Sequence, residues 1–194
     1  MTVPAARYSN PVQAVRAYYG LAHAPLAACL GVSEALLKLA ATDRRELPAT
    51  AYLRLQPLAA ALPPPWSNGP AAPAPPVLPT PALWPAPPAP APGPDLLDRR
   101  LLDLRHRLQA LERAAASLHR RYAQGVALQG VLPAWEAVLP PADARVARWL
   151  PLLHGQVAER LGPAASAALA LADARRLAVQ VELAQLEAWR RAMG

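Results

Sequence analysis

Apolar residues recur at helical spacing over most of the chain, and glycine, proline and polar residues punctuate them. Val12, Ala14, Val15 and Tyr18 form a short stripe behind Asn10-Pro11 and before Gly20. Asparagine caps a helix and proline suits its first turn, so the stripe predicts a helix ending at the glycine. A second helix is predicted over 24–30, with Pro25 in its first turn and Gly31 as its stop. Ser33 can cap a third, through about Ala41. After the polar stretch from Asp43 to Pro48, a fourth over 49–62 carries Tyr52, Leu53, Leu55, Leu58 and Leu62. Pro57 should kink it, because proline removes one donor and clashes with the preceding turn.

The second half has a longer period. Leu97, Leu101, Leu104, Leu108, Leu111, Ala115, Leu118 and Tyr122 alternate spacings of four and three, a heptad seam over 97–122 behind a cap at Asp95. Arginines and Glu112 occupy its flanks. Gly125 and Gly130 should end this helix, leaving a short piece over 134–139 closed by Pro140-Pro141. A further helix is predicted over 142–161, bent at Pro151, and a last one over 164–192 after the break at Gly162-Pro163. Leu169, Leu177, Val181, Ala184 and Ala188 give the last helix a wide apolar face, fit to pack on two neighbours. The seam can join two copies of the chain as a homodimer, or be satisfied within one chain by the last helix.

Between the two patterned halves lies a proline-rich stretch. Fifteen of the 25 prolines fall in residues 63–94, which contain no charged residue. Such a segment favours extended polyproline II and reads as a semi-rigid spacer. The expected organisation is all-α: a small helix-turn-helix bundle over 1–62, a proline-rich linker over 63–94, and an α-helical, coiled-coil-like domain over 95–194, either a bundle or a long hairpin.

Composition sharpens this picture. Hydrophobic residues make up 54% of the chain, but 46 of the 194 residues are alanine and phenylalanine is absent, so the core is built from small aliphatic side chains. Sixteen prolines in the longest uncharged run, from Leu55 to Pro94, forbid a membrane span. No apolar leader stretch follows Met1, and a cytoplasmic location is the expectation. The lone Cys29 excludes an internal disulfide and a cysteine zinc site, and reads as a small buried residue. His106, His119 and His154 lack ligand spacing and read as solvated or rim side chains. Glu182 and Glu187 lie near Arg190 and Arg191, as in ordinary surface pairing on one helix. With no nucleophile elbow, phosphate loop or dinucleotide fingerprint, neither an enzyme nor a cofactor is expected. The net charge of +7 favours polyanionic partners.

One constellation carries a function. Leu26, Leu30, Val32 and Leu37 can clamp two helices across Gly31, with the small Ala27 at their crossing and Ser33 capping the second. This segment, with Leu30-Gly31-Val32-Ser33 at its centre, resembles the helix-turn-helix of the Cro/C1 (XRE) family of bacterial and phage DNA-binding domains. Arg44-Arg45-Glu46-Leu47-Pro48 followed by Leu53-Arg54-Leu55 is similar to that family's loop and fourth helix. The resemblance covers residues 10–62 and implies a transcriptional regulator bound to double-stranded DNA. By position it puts Ser33, Glu34, Ala35 and Lys38 in the major groove. It puts His23 at the entrance to the second helix, where phosphate is met, and Arg44 and Arg45 on the backbone, with Arg16 as a further backbone candidate. The sequence also departs from the family pattern. His23 replaces a usual glutamine, Ala24 and Pro25 replace polar residues, and the recognition helix offers Lys38 as its only cation. No arginine, asparagine or glutamine stands there for bidentate base reading. Two other readings therefore stay open: an interaction protein with a degenerate helix-turn-helix, and sequence-independent nucleic-acid association driven by arginine.

Overall fold

The computed structural model describes residues 8–63 and 93–193. Apart from its two ends, the spacer assigned to 63–94 lies outside the described residues. The chain is all-α, with seven helices and no strand among the described residues: α1 Pro11–Tyr19, α2 His23–Leu30, α3 Glu34–Ala41, α4 Ala49–Ala60, α5 Pro94–Glu136, α6 Ala144–Leu161 and α7 Pro163–Ala192. No single helix among them is long and apolar enough to cross a membrane.

Local chemistry sets the ends of the first helices as the sequence predicts. The Asn10 side-chain oxygen accepts from Val12 N at 2.8 Å and Gln13 N at 3.3 Å. Ser33 Oγ accepts from Leu36 N at 3.2 Å. Asn10 does more than cap. It is buried, and its Nδ2 donates to the Ala40 carbonyl at 2.7 Å and to Asp43 Oδ1, which ties the start of α1 to the end of α3.

The chain divides into two compact units, and the division does not follow the linear one expected at residues 62 and 95. The first unit contains α1–α4 together with Arg120–Ala165. The reason lies in α2, where every residue from Pro25 to Leu30 is buried. A helix apolar on all sides needs neighbours on all sides. α3 and α4 supply part of that cover and α6 supplies the rest. Leu128, Val131, Leu132 and Trp135 of α5 join the same core, with Val146, Leu153 and Val157 of α6.

Polar contacts fasten these later segments to the earlier ones. Arg160 donates to the carbonyls of Tyr19 and Gly20, both at 2.8 Å, and Gln124 Nε2 donates to the Ala17 carbonyl at 2.8 Å. Side chains remote in sequence thus satisfy the carbonyls that the end of α1 leaves open. Arg54 of α4 donates to the Cys29 carbonyl at 3.3 Å and lies 3.5 Å from Asp143, whose own side chain caps α6. Cys29 is buried, and burial pushes its thiol up to about 11.

α5 does not stop at Gly125 or Gly130; it continues to Glu136 through both glycines and through Pro133. A glycine within a helix costs about 1 kcal/mol, which tertiary contacts readily outweigh. At Gly125 the missing side chain has a use. A Cβ there would lie 2.9 Å from Arg160 Cβ and 3.0 Å from Leu161 Cδ2, so α6 approaches α5 closely at this point.

The second unit pairs the earlier part of α5 with most of α7. The pairing is antiparallel: Asp98 meets Arg190 at 2.8 Å, and His119 meets Asp173 at 3.1 Å. Leu97, Leu101, Leu104 and Ala115 of the seam are buried, while Leu108, Leu111 and Leu118 are half-buried. Glu182 and Glu187 do not pair along their own helix as expected. They take Arg100 and Arg105 of α5 instead. Two of the histidines expected to be solvated also have carboxylate partners, His119 at Asp173 and, in the first unit, His154 at Glu136 at 2.7 Å.

Candidate nucleic-acid interface

The turn between α2 and α3 follows from three residues. Gly31 adopts φ +75°, a left-handed conformation open to glycine at little cost. Its N–H and that of Val32 return to the Ala28 and Ala27 carbonyls at 3.1 and 3.0 Å, closing α2. Ser33 then opens α3, and the chain direction changes by 104° between the two helices, within the range for a helix-turn-helix. Leu37 is the buried anchor of α3, and Ala40 and Ala41 complete its inner face.

The outer face of α3 is open. Ser33, Glu34, Ala35 and Lys38 are exposed, as are Leu39 and Thr42 beside them. Lys38 Nζ lies 2.8 Å from Glu34 Oε1 one turn away, and that contact holds the Glu34 carboxyl below its ordinary value. The face therefore presents a neutral ion pair rather than a free cation.

His23, at the first position of α2, does not lie on that face but lines a groove with Arg16 and Lys38. The groove has a volume of ≈ 550 Å³ and also takes in Tyr8, Gln13 and Thr42. Burial, then the charges of Arg16 and Lys38, lower the His23 imidazole from its ordinary value, with Glu34 opposing. Burial lowers Arg16 as well, and its Nε is buried without a hydrogen-bond partner.

Arg44 and Arg45 stand elsewhere. They line a second, larger groove of ≈ 1130 Å³ beside the loop before α4, with Asp43, Glu46, Tyr52 and Leu53. The structure thus brings His23, Arg16 and Lys38 together and leaves the arginine pair on a different wall. Gln13 and Thr42 were not singled out by the sequence; one turn of helix geometry from Arg16 and Lys38 places them. Among the described residues no group of histidine, cysteine, aspartate or glutamate side chains could hold a metal. The chain matches no protein-family model, no curated protein and no solved structure.

Proposed function

We propose that the chain is a double-stranded DNA-binding protein that acts as a transcriptional regulator through α2 and α3, in the manner of the Cro/C1 helix-turn-helix. One observation carries the reading: α2 is buried from Pro25 to Leu30 while α3, set at 104° to it, keeps its outer face free. A helix held this way is fit to enter a major groove. The start of α2, where His23 lies beside Arg16 of α1, faces one phosphate, and Arg44 and Arg45 contact another stretch of backbone. The protein carries out no catalysis and acts by binding.

A second reading, an interaction module that no longer binds DNA, is favoured by the Glu34–Lys38 pair, which removes the only cation from the outer face of α3. Duplex binding by the full chain, titrated with salt, separates the two. The DNA reading expects binding at low salt that weakens as salt rises, and weakens again in Lys38→Ala and in a paired Arg44→Ala, Arg45→Ala variant. Absence of binding at low salt by folded protein overturns it and leaves the interaction module. Equal affinity for every duplex with a steep salt slope places the activity in arginine-driven, sequence-independent association.

A further inference from the structure

We propose that Arg145 and Arg148, on the outer face of α6, make a second contact with the DNA backbone beside the turn that opens α3; the inference rests on the duplex-binding reading above.

The position of these arginines follows from a chain of contacts within the first unit. Arg54 Nη1 donates to the Cys29 carbonyl at 3.3 Å, near the end of α2, and a Cβ on Gly31 would lie 2.7 Å from the same nitrogen. That nitrogen also lies 3.5 Å from Asp143 Oδ2. Asp143 is the cap of α6, and its Oδ1 accepts from Arg145 N at 2.9 Å. The Arg54 guanidinium thus sits between the α2–α3 turn and the first residues of α6. Val146 is buried in the core that α6 shares with α2, which fixes the rotation of α6 about its axis. Arg145 and Arg148 fall outside that buried side, three residues apart and so on one face, and both are exposed.

The charge of this face is unopposed. From Ala144 to Ala158 α6 holds no carboxylate. Asp143, the nearest in sequence, is engaged by Arg54 and by the cap. The ion pairs within α6 lie farther along, at His154 and Glu159, and neither arginine joins one among the described residues. The outer face of α3 lacks such charge, because Glu34 neutralises Lys38. A guanidinium offers a planar fork of donors that matches a phosphate, and it keeps its charge at every working pH. Two of them beside the start of α3 supply an attraction that the helix itself does not. The exposed residues around them, Ala144, Ala147 and Pro151, carry no base-reading group, so the contact adds affinity equally for every sequence.

The test uses the full chain and a fluorescent mixed-sequence duplex of about 20 bp, titrated by anisotropy between about 50 and about 200 mM salt. Arg145→Gln combined with Arg148→Gln should weaken binding about ten- to hundredfold at the lowest salt. The slope of log affinity against log salt should become shallower by about 1.8, from two phosphate contacts at about 0.9 each. Arg145→Lys with Arg148→Lys should retain most of the affinity and slope, because a backbone contact needs charge above all. The control is Arg175→Gln with Arg191→Gln, which removes two exposed arginines from α7 and the same net charge. A loss in the control equal to that in the α6 variant assigns the effect to net charge and overturns the inference. Wild-type affinity and slope in the α6 variant overturn it too, and leave duplex binding through α3 intact. Proximity gives a second readout. Cys29 is buried, so Arg148→Cys directs a maleimide photocrosslinker to one site, and light should join it to the duplex. No crosslink from a labelled protein that still binds DNA places α6 away from the backbone and overturns the inference. Folded protein that binds no duplex at any salt overturns the inference together with the function it rests on.

Discussion

The indole Nε1 of Trp135 donates to the backbone carbonyl of Arg54 at 2.9 Å, across 81 residues of sequence. Trp135 is fully buried, and its ring belongs to the core that α2 and α4 share. The first unit therefore depends on chain beyond residue 120. Trp135→Ala should destabilise it by about 3–5 kcal/mol, the usual cost of removing a buried aromatic side chain. Trp135→Phe keeps most of the ring but loses the hydrogen bond to the Arg54 carbonyl, and should cost about 0.5–1.5 kcal/mol. A fragment of residues 1–62 should lack a cooperative transition in chemical denaturation followed by circular dichroism. A sharp transition in that fragment would show that the later segments only decorate the helix-turn-helix.

The turn itself tolerates little change. Gly31 has φ +75°, and a Cβ there would lie 2.7 Å from Arg54 Nη1. Gly31→Ala should lose about 1–2 kcal/mol from backbone strain alone. Gly31→Asn should lose less strain energy, because asparagine accepts the left-handed conformation more readily. Combining Gly31→Ala with Arg54→Ala should recover the steric part of the loss. Urea midpoints of the single and double variants measure that coupling.

The heptad seam answers to the same kind of test. Leu104 is buried, and Arg100, Arg105 and Asp98 on either side of the seam are paired with α7. Leu104→Asp should therefore unfold the α5–α7 pairing, with loss of helical signal, at a cost of several kcal/mol for a buried, unpaired charge. Leu108 is only half-buried, and Leu108→Asp should leave the hairpin folded. Sedimentation of wild type and of that variant tests whether two copies of the chain join there. A shift from dimer to monomer with helix content kept places the joint there, and a wild-type monomer at every concentration assigns the seam to the single chain.

The parts of the fold legible in the sequence are those fixed by local punctuation. Asn10, Gly20, Gly31 and Ser33 set the ends of α1, α2 and α3 because capping acts within a few residues. The attachment of α5 and α6 to the first four helices was not legible, since it rests on Trp135, Gln124 and Arg160 meeting backbone carbonyls far away in sequence. One signal pointed to it: α2 has no polar side chain after His23, so α1, α3 and α4 could not cover it alone. Glycine punctuation failed at Gly125 for a related reason, because close approach of α6 rather than a chain break explains that residue. Within the candidate site, the Glu34–Lys38 pair follows from i, i+4 spacing. The convergence of His23, Arg16 and Lys38 needed the crossing of three helices, and the spacing of these residues along the chain does not encode it.

His23 makes the stability of the fold depend on pH. Its folded value is lowered from 6.5, first by burial and then by Arg16 and Lys38. The unfolded chain therefore binds the proton more readily than the native state. Its contribution to stability is full above the unfolded value and declines as pH falls through about 6.5 toward the folded value. His23→Gln should lose less stability than wild type between about pH 7.5 and pH 5.5, measured by urea midpoints. The difference should be small, because the ring is largely solvated.

Glu34 gives the sharpest test of where α3 lies. Its carboxylate neutralises Lys38 at 2.8 Å on a face where both side chains are about half exposed. Such a pair contributes little to folding, so Glu34→Gln should leave the urea midpoint nearly unchanged. Against duplex DNA the same change removes a negative charge and releases the Lys38 ammonium, and affinity should rise about two- to tenfold at low salt. One added phosphate contact should steepen the dependence of log affinity on log salt by about 0.9. The new amide also carries the donor and acceptor needed to read an adenine edge, so discrimination between duplexes should rise with affinity. Lys38→Ala should reverse the gain when combined with Glu34→Gln. If Glu34→Gln alters neither affinity nor salt slope while the protein still binds DNA, the outer face of α3 is not the surface that meets it.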